Sequence, residues 1–181
     1  LSSILLISLQ LSCVQNNRRE NIIVASAGKI ESLDPAQANT IRTIQILSAL
    51  GDTLYKINKE GNLYPSLANN LPKVSKNGLL IDIPLRENVT FHDGSIFNAK
   101  AMKFSLDRFM KIGTLNYLLN DKIDAIQVKD EFLLRIKLKK PSSSLKSLLT
   151  SVNLTPISPN SYSNYKDKFN SKGFIGTGPY F

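Results

Sequence analysis

The step Asn77-Gly78 constrains this chain more than any other pair of residues in it. Both residues tolerate positive φ, and Asn-Gly between two apolar runs is the strongest short-range signal of a β-hairpin. The flanking runs lie at 71–75 and 79–86. In the second, Leu79, Ile81, Ile83 and Leu85 alternate with Leu80, Asp82, Pro84 and Arg86, a pattern for a strand buried on one side. Pro84 lacks a ladder donor, so the strand is at an edge or near its end there. A second alternation sends Phe132, Leu134, Ile136 and Leu138 one way and Leu133, Arg135, Lys137 and Lys139 the other, with the cations marking a wet face. It joins a strand expected at 123–128 through Lys129-Asp130-Glu131.

Helical signals lie between the strands. Pro35 keeps Asp34 out of the α region and forces a turn. Beyond it Ile41, Ile44, Leu47 and Leu50 recur at helical spacing, which predicts a helix over 36–50 that stops at Gly51. Asn98 is a suitable N-cap for a helix running to about Met110, with Ala99, Met102, Leu106 and Phe109 as its apolar stripe. Pro141 and the serines at 142–144 start a short helix through Leu149, and Ser158-Pro159 opens a further helical turn. Short strands are expected at 22–25 and 54–57, and an extended stretch at 154–157. The segment 63–68 reads as irregular, with a helical turn after Pro65. The fold class is therefore mixed, with α/β and α+β character.

The chain has 181 residues, of which 42% are apolar, enough to bury a core. That length suits one domain, or one large lobe with part of another. The net charge of +9 is uneven: residues 1–98 hold 9 Lys/Arg against 8 Asp/Glu, and residues 99–181 hold 14 against 6. The lysines are spread singly, no aromatic–arginine cluster interleaves them, and tryptophan is absent, which favours a solvated surface over nucleic-acid binding. His92 is the only histidine, so a His-based metal cluster has no second member in this chain. Asp93 shares its tight turn and is badly placed to orient it in a catalytic triad, so His92 reads as a turn residue. Gly173-x-x-Gly176-x-Gly178 is followed by Pro179 and no lysine, and reads as a backbone crossing rather than a phosphate loop. No catalytic cluster and no cofactor are expected.

The lone cysteine, Cys13, follows an apolar run at 4–9 of the size of a secretory h-region. Gln10-Leu11-Ser12-Cys13 resembles a bacterial lipobox, so lipidation at Cys13 is expected, with the polar residues 14–20 as a tether.

Taken in order, several motifs resemble the family 5 extracellular solute-binding proteins, the oligopeptide- and nickel-receptor kind. They are Leu33-Asp34-Pro35-Ala36, Leu54-Tyr55 and Gly61-Asn62-Leu63-Tyr64-Pro65-Ser66-Leu67-Ala68. Asn77-Gly78, Leu85-Arg86-Glu87-Asn88-Val89, Phe91-His92-Asp93-Gly94, Asn98-Ala99-Lys100-Ala101-Met102 and Gly176-Thr177-Gly178-Pro179-Tyr180 follow. Lys100-Ala101 departs from the acidic pair the family often carries there. The resemblance covers about residues 22–181. It implies a periplasmic-binding-protein-like type II fold, represented here by an N-terminal lobe fragment with an incomplete first domain.

On that resemblance, 1–20 is the signal or lipoprotein anchor and tether, and 21–44 the first strand and loop of the main lobe. The segment 45–170 is a small mixed lobe, and 171–181 returns the chain to the main lobe. With neighbouring sequence absent, the apolar face at 22–25 and the final segment are expected to be exposed. The implied function is capture of peptides, or related solutes such as nickel chelates, at the periplasm or cell surface. A monomer would deliver them to ABC permease subunits in the membrane, with no enzymatic step. The implied ligand-binding residues are Ala27, Gly28, Lys29, Ile30, Glu31, Ser32 and Leu33 beside the hinge, with Tyr180 and Phe181 at a hinge or cleft wall. The alternative is a truncated lipoprotein lobe with a structural role and no ligand.

Overall fold

In chain order the elements are α1 (Ile41–Leu50), β1 (Tyr55–Ile57), β2 (Leu63–Pro65), β3 (Lys73–Val74), β4 (Leu80–Pro84), α2 (Ala99–Ile112) and α3 (Tyr117–Asn120). They continue with β5 (Ile123–Asp130), β6 (Leu133–Leu138), α4 (Ser144–Leu148) and α5 (Pro159–Tyr165). The computed structural model describes Ile23, Ile30 and residues 32–165 and 174–180. The strand expected at 22–25 lies outside the described residues except for Ile23. Cys13, Ala27, Gly28, Lys29, Glu31 and Phe181 also lie outside them.

The Asn-Gly hairpin forms, with β3 antiparallel to β4. Gly78 takes the positive φ (70°) while Asn77 contributes its side chain, Oδ1 accepting from Ser75 Oγ at 2.7 Å and Leu79 N at 3.1 Å. The main sheet has the order β3-β4-β6-β5 with every neighbour antiparallel. Its inner face carries Ile81 and Ile83 of β4 and Leu134, Ile136 and Leu138 of β6, as the alternation predicts, and all are buried. Pro84 ends β4, an interior strand, so the missing donor falls at the last pair of the ladder. The wet face pairs its charges across strands: Arg135 binds Asp82 through two nitrogens (2.6 and 2.7 Å), and Lys137 binds Asp124 at 2.7 Å.

α2 covers the inner face. Asn98 caps it by accepting from Lys100 N and Ala101 N, both at 3.1 Å, and Met102, Leu106 and Phe109 join the sheet residues in one core. Two expectations change. The stretch 63–68 is not irregular throughout, because Leu63–Pro65 pairs with β1, and Pro65, opposite Tyr55, needs no donor at the margin of a two-stranded ladder. The helix expected over 36–50 is shorter. Pro35–Gln37 forms a 3-10 turn, Ala38 is extended (ψ 116°), and Thr40 caps a helix that starts at Ile41. Consequently Ile41 is 78% exposed, and Thr43 and Leu47 make the buried face.

Candidate functional site

Two stretches of chain, at 32–38 and 174–180, meet at a small apolar cluster separate from the main core. Ala38, Leu47, Ile157 and Phe174 form it, with Leu33, Ile44, Leu50, Phe104, Val152 and Tyr162 packed around them. The two stretches thus share a junction although well over a hundred residues separate them.

The first stretch is held through its aspartate. Asp34 Oδ1 accepts from Ala36 N at 3.0 Å and so caps the 3-10 turn, while Asp34 N donates to Ser32 Oγ at 3.0 Å. Arg108 of α2 meets the same carboxylate in fork geometry: Nη1 donates to Oδ1 at 2.7 Å and Nη2 donates to Oδ2. Asp34 is 1% exposed, and the guanidinium also lies 4.7 Å from the centre of the Tyr162 ring. Burial works against the Arg108 charge, but the hydrogen bonds and field of Asp34 outweigh it and raise the guanidinium pKa above its ordinary value. The main chain is held separately. Asn153 Nδ2 donates to Pro35 O (3.0 Å) and Ala38 O (2.7 Å), and Thr114 N donates to Ala36 O (3.0 Å).

The second stretch is held mainly by its backbone, with Asp52 N also donating to Thr177 Oγ1 at 3.4 Å. Ser158 N donates to Ile175 O (3.2 Å), His92 N to Gly176 O (3.0 Å), and His92 Nε2 lies 2.7 Å from Gly178 O. On the opposite side Gly178 N donates to Leu50 O (3.1 Å). The glycines make this contact possible. A Cβ on Gly176 would lie 2.5 Å from Leu50 O, and one on Gly178 would lie 2.5 Å from Leu50 C and 2.6 Å from Gly51 N. Gly176 and Gly178 therefore act as the expected backbone crossing, and they cross over the end of α1.

Asp93 braces the turn that supplies His92. Its Oδ1 accepts from Ser95 Oγ (2.5 Å) and Ser95 N (3.0 Å), and its Oδ2 accepts from Ser158 Oγ. Burial pushes the Asp93 pKa up, but the bonds from Ser158 and Ser95 more than offset this and leave it below the usual carboxylate value. A depressed folded pKa contributes stability above the unfolded value, and that stability is lost as pH falls through the folded pKa. Asp93→Asn is therefore expected to lower stability near neutrality by about 0.5–1 kcal/mol, a modest figure because the group is solvent-screened. The difference from the parent should shrink in acid. Urea midpoints measured from pH 7 down through the acid limb check this, and a gap that widens in acid contradicts it.

Of the candidate ligand residues, Leu33 and Ser32 stand in the first held stretch and Tyr180 at the end of the second. Ile30 is exposed and Tyr180 is 47% exposed. The expectation of an exposed final segment holds only in part. Phe174 is 6% exposed and Gly176 is buried, because Phe174 packs with Ala38, Leu47 and Ile157, while Pro179 and Tyr180 are open. Ile23 is 91% exposed. Arg108, Asn153 and Ser158 were not identifiable as holding residues from the sequence, since each bonds a partner remote in the chain.

The chain matches the family model described as bacterial extracellular solute-binding proteins, family 5 Middle, over residues 62–181. It is 32% identical over 165 residues to the glutathione-binding protein GsiB of Escherichia coli, covering 89% of this chain and 31% of that protein. Listeria monocytogenes OppA bound to peptide superposes with a TM-score of 0.78 at 22% identity, over 85% of this chain and 34% of that one. An ABC transporter substrate-binding protein from Sinorhizobium meliloti superposes with a TM-score of 0.70 at 30% identity, over 81% of this chain and 30% of that one. The chain thus spans about a third of the length of the relatives it matches. The fold is that of the type II periplasmic-binding-protein class, with helices and antiparallel strands mixed. With a family model matched over more than half its length, this chain belongs to the family 5 bacterial extracellular solute-binding proteins.

Proposed function

We propose that this chain serves in capturing peptide-class solutes outside the cytoplasmic membrane for delivery to an ABC permease. The observation that carries the reading, together with family membership, is the pair of held stretches at 32–38 and 174–180. Both meet at one apolar cluster, and in this reading they are the two connections between a small lobe and a main lobe. The relatives support the solute class: one is a glutathione-binding protein and another is a peptide-bound OppA, and glutathione is itself a tripeptide.

In this proposal 45–170 is the small lobe, 21–44 and 171–181 belong to the main lobe, and 1–20 is the anchor and tether. Backbone groups of residues 27–33 pair with the main chain of the solute in the manner of an added strand, and Tyr180 and Phe181 belong to a hinge or cleft wall. Closure is a two-state shift that the solute drives by binding the closed form better. The family is one of binding proteins, and no residue here is assigned a catalytic role. Cys13 carries the lipid that holds the protein at the membrane.

Purifying the protein from the membranes of the cells that make it tests both parts. Denaturing release is expected to free small peptides detectable by mass spectrometry, and the N-terminal fragment is expected to begin at an acylated Cys13. Absence of any released solute, together with no saturable uptake of a pooled peptide library, counts against the capture reading. An unacylated Cys13 removes the anchor alone.

A further inference from the structure

Lysines that stand singly in the sequence are gathered by the fold at one end of the main sheet. Backbone contacts close that end. Leu138 N donates to Leu79 O and Lys139 N to Lys122 O, both at 2.8 Å, and a Cβ on Gly78 would lie 3.0 Å from Pro141 Cβ. The β3–β4 turn, the start of β5 and the end of β6 therefore stand side by side. They bring together Lys76, Lys122, Lys137, Lys139 and Lys140.

Two carboxylates share this end. Asp124 pairs with Lys137 at 2.7 Å, and Asp121 is exposed beside Lys122 in the chain. Lys139 Nζ donates to Asn120 O at 2.8 Å, a bond that leaves its charge uncompensated. Lys76, Lys122 and Lys140 have no ion pair among the described residues. Five lysines against two carboxylates leave an excess of three positive charges. No Asp or Glu occurs between Glu131 and Asp167, so the chain beyond β6 brings no relief.

The chemistry of the cluster selects its partner. Every cation in it is a lysine, and no aromatic residue occurs at 75–80, 121–125 or 137–141. Arg135, farther along β6, is already held in a fork by Asp82. Interfaces between proteins are poor in lysine and rich in arginine and aromatic side chains. A lysine ammonium is a hydrated point charge on a flexible stem, suited to a layer of phosphates without fixed geometry. A bacterial extracellular binding protein meets that layer in the anionic phospholipids of the cell's own bilayer.

We propose that this lysine cluster docks the lobe on anionic phospholipid headgroups and turns this end of the sheet toward the membrane. Screening confines the attraction to about 8–10 Å at ordinary ionic strength, so it orients the protein only near contact. Each lysine at the surface adds about fivefold to the affinity. The docking is independent of which solute is captured. It also differs from an anchor at Cys13, which would hold the chain near the bilayer without choosing the face presented to it.

The test uses the whole protein purified from its own cells. Its vesicles are phosphatidylcholine alone and equimolar phosphatidylcholine–phosphatidylglycerol, at low and high salt. Cosedimentation gives the affinity for each, and the ratio between them cancels the contribution of an acyl anchor. One variant combines Lys76→Gln, Lys122→Gln and Lys140→Gln, which have no ion pair to lose. A control combines Lys59→Gln, Lys100→Gln and Lys111→Gln, taking the same charge from the β1–β2 turn and from α2 on the opposite face. The parent is expected to prefer the anionic vesicles by about thirtyfold or more at low salt, and to lose most of this at high salt. The cluster variant should lose about tenfold or more of that preference, and the control no more than about threefold. Equal losses in the two variants mark net charge alone and overturn the site, as does an unchanged cluster variant. A parent indifferent to phosphatidylglycerol overturns the lipid assignment. A cluster variant altered only in self-association, or only in binding native membranes, then gives the lysines to a second copy or to a membrane protein. If the cluster variant does not fold, amine acetylation of the parent decides: anionic vesicles must shield Lys76, Lys122 and Lys140 more than Lys59 and Lys111. Peptide binding in free solution is expected to be the same in parent and variants, so failure of docking is separable from failure of the capture reading.

Discussion

Replacing Asp34 with alanine is expected to lower unfolding free energy by about 3–5 kcal/mol, a large part of the about 5–15 kcal/mol by which a typical domain is stable. The carboxylate is 1% exposed and the Arg108 side chain 9%, so the substitution takes the compensating charge from a guanidinium in a site that water hardly reaches. It also strips the acceptor from Ala36 N and so loosens the 3-10 turn at Pro35–Gln37. Arg108→Ala should cost a similar amount for the mirror-image reason. The double substitution should cost clearly less than the sum, because neither charge is then left alone. Chemical denaturation of the four proteins measures this. Additive losses would mean that the pair is not coupled, and that the first crossing stretch is held by Asn153 and Thr114 alone.

The second large effect is expected at Gly178. An alanine there drives its Cβ to 2.5 Å from Leu50 C, 2.6 Å from Gly51 N and 2.7 Å from Leu50 O, all main-chain atoms of the end of α1 and its cap. Backbone cannot swing aside as a long side chain can, so the crossing must open. The expected cost is about 1–3 kcal/mol, seen as a fall of several degrees in Tm. Faster exchange of the Gly178 amide, which donates to Leu50 O, should accompany it. The cause is space rather than backbone conformation, so Gly178→Ser should behave alike. Retention of parental Tm and exchange in both variants would show that the crossing is looser than described.

The sheet was legible because two of its strands have one dry and one wet face: the alternation at 79–85 and at 132–138 gives both strand identity and orientation. The α2 stripe was legible for the same reason, and Asn98 marked its start. The strand β5 shows where such reading fails. Ile123 and Ile126 are three residues apart yet both buried, because the register shifts between Ile123 and Ala125. An irregularity of that kind depends on the partner strand and leaves no mark in local spacing. The start of α1 falls later than the spacing predicts because Asn153 holds the carbonyls of Pro35 and Ala38, and the chain there is a 3-10 turn followed by an extended Ala38 rather than an α-helix.

The junction was legible only in half of its members. Asp34-Pro35 and the Gly-x-Gly pair announce unusual backbone by their own chemistry. Their partners do not. Arg108 lies 74 residues from Asp34, Asn153 lies 118 from Pro35, and His92 reaches a carbonyl 86 residues away. His92 reads correctly as a turn residue, while its second bond belongs to the tertiary fold. Such pairings are fixed by where the sheet and α2 bring the chain, and only the three-dimensional arrangement displays them.

The most direct test of the capture account is calorimetric titration of the protein, purified from the cells that make it, with a pooled tri- to pentapeptide library and with glutathione. The account predicts saturable one-to-one binding of at least one of these by a folded protein, weakened when residues 27–33 are replaced by a glycine-serine run. A folded protein that gives no saturable heat with any of them would contradict it.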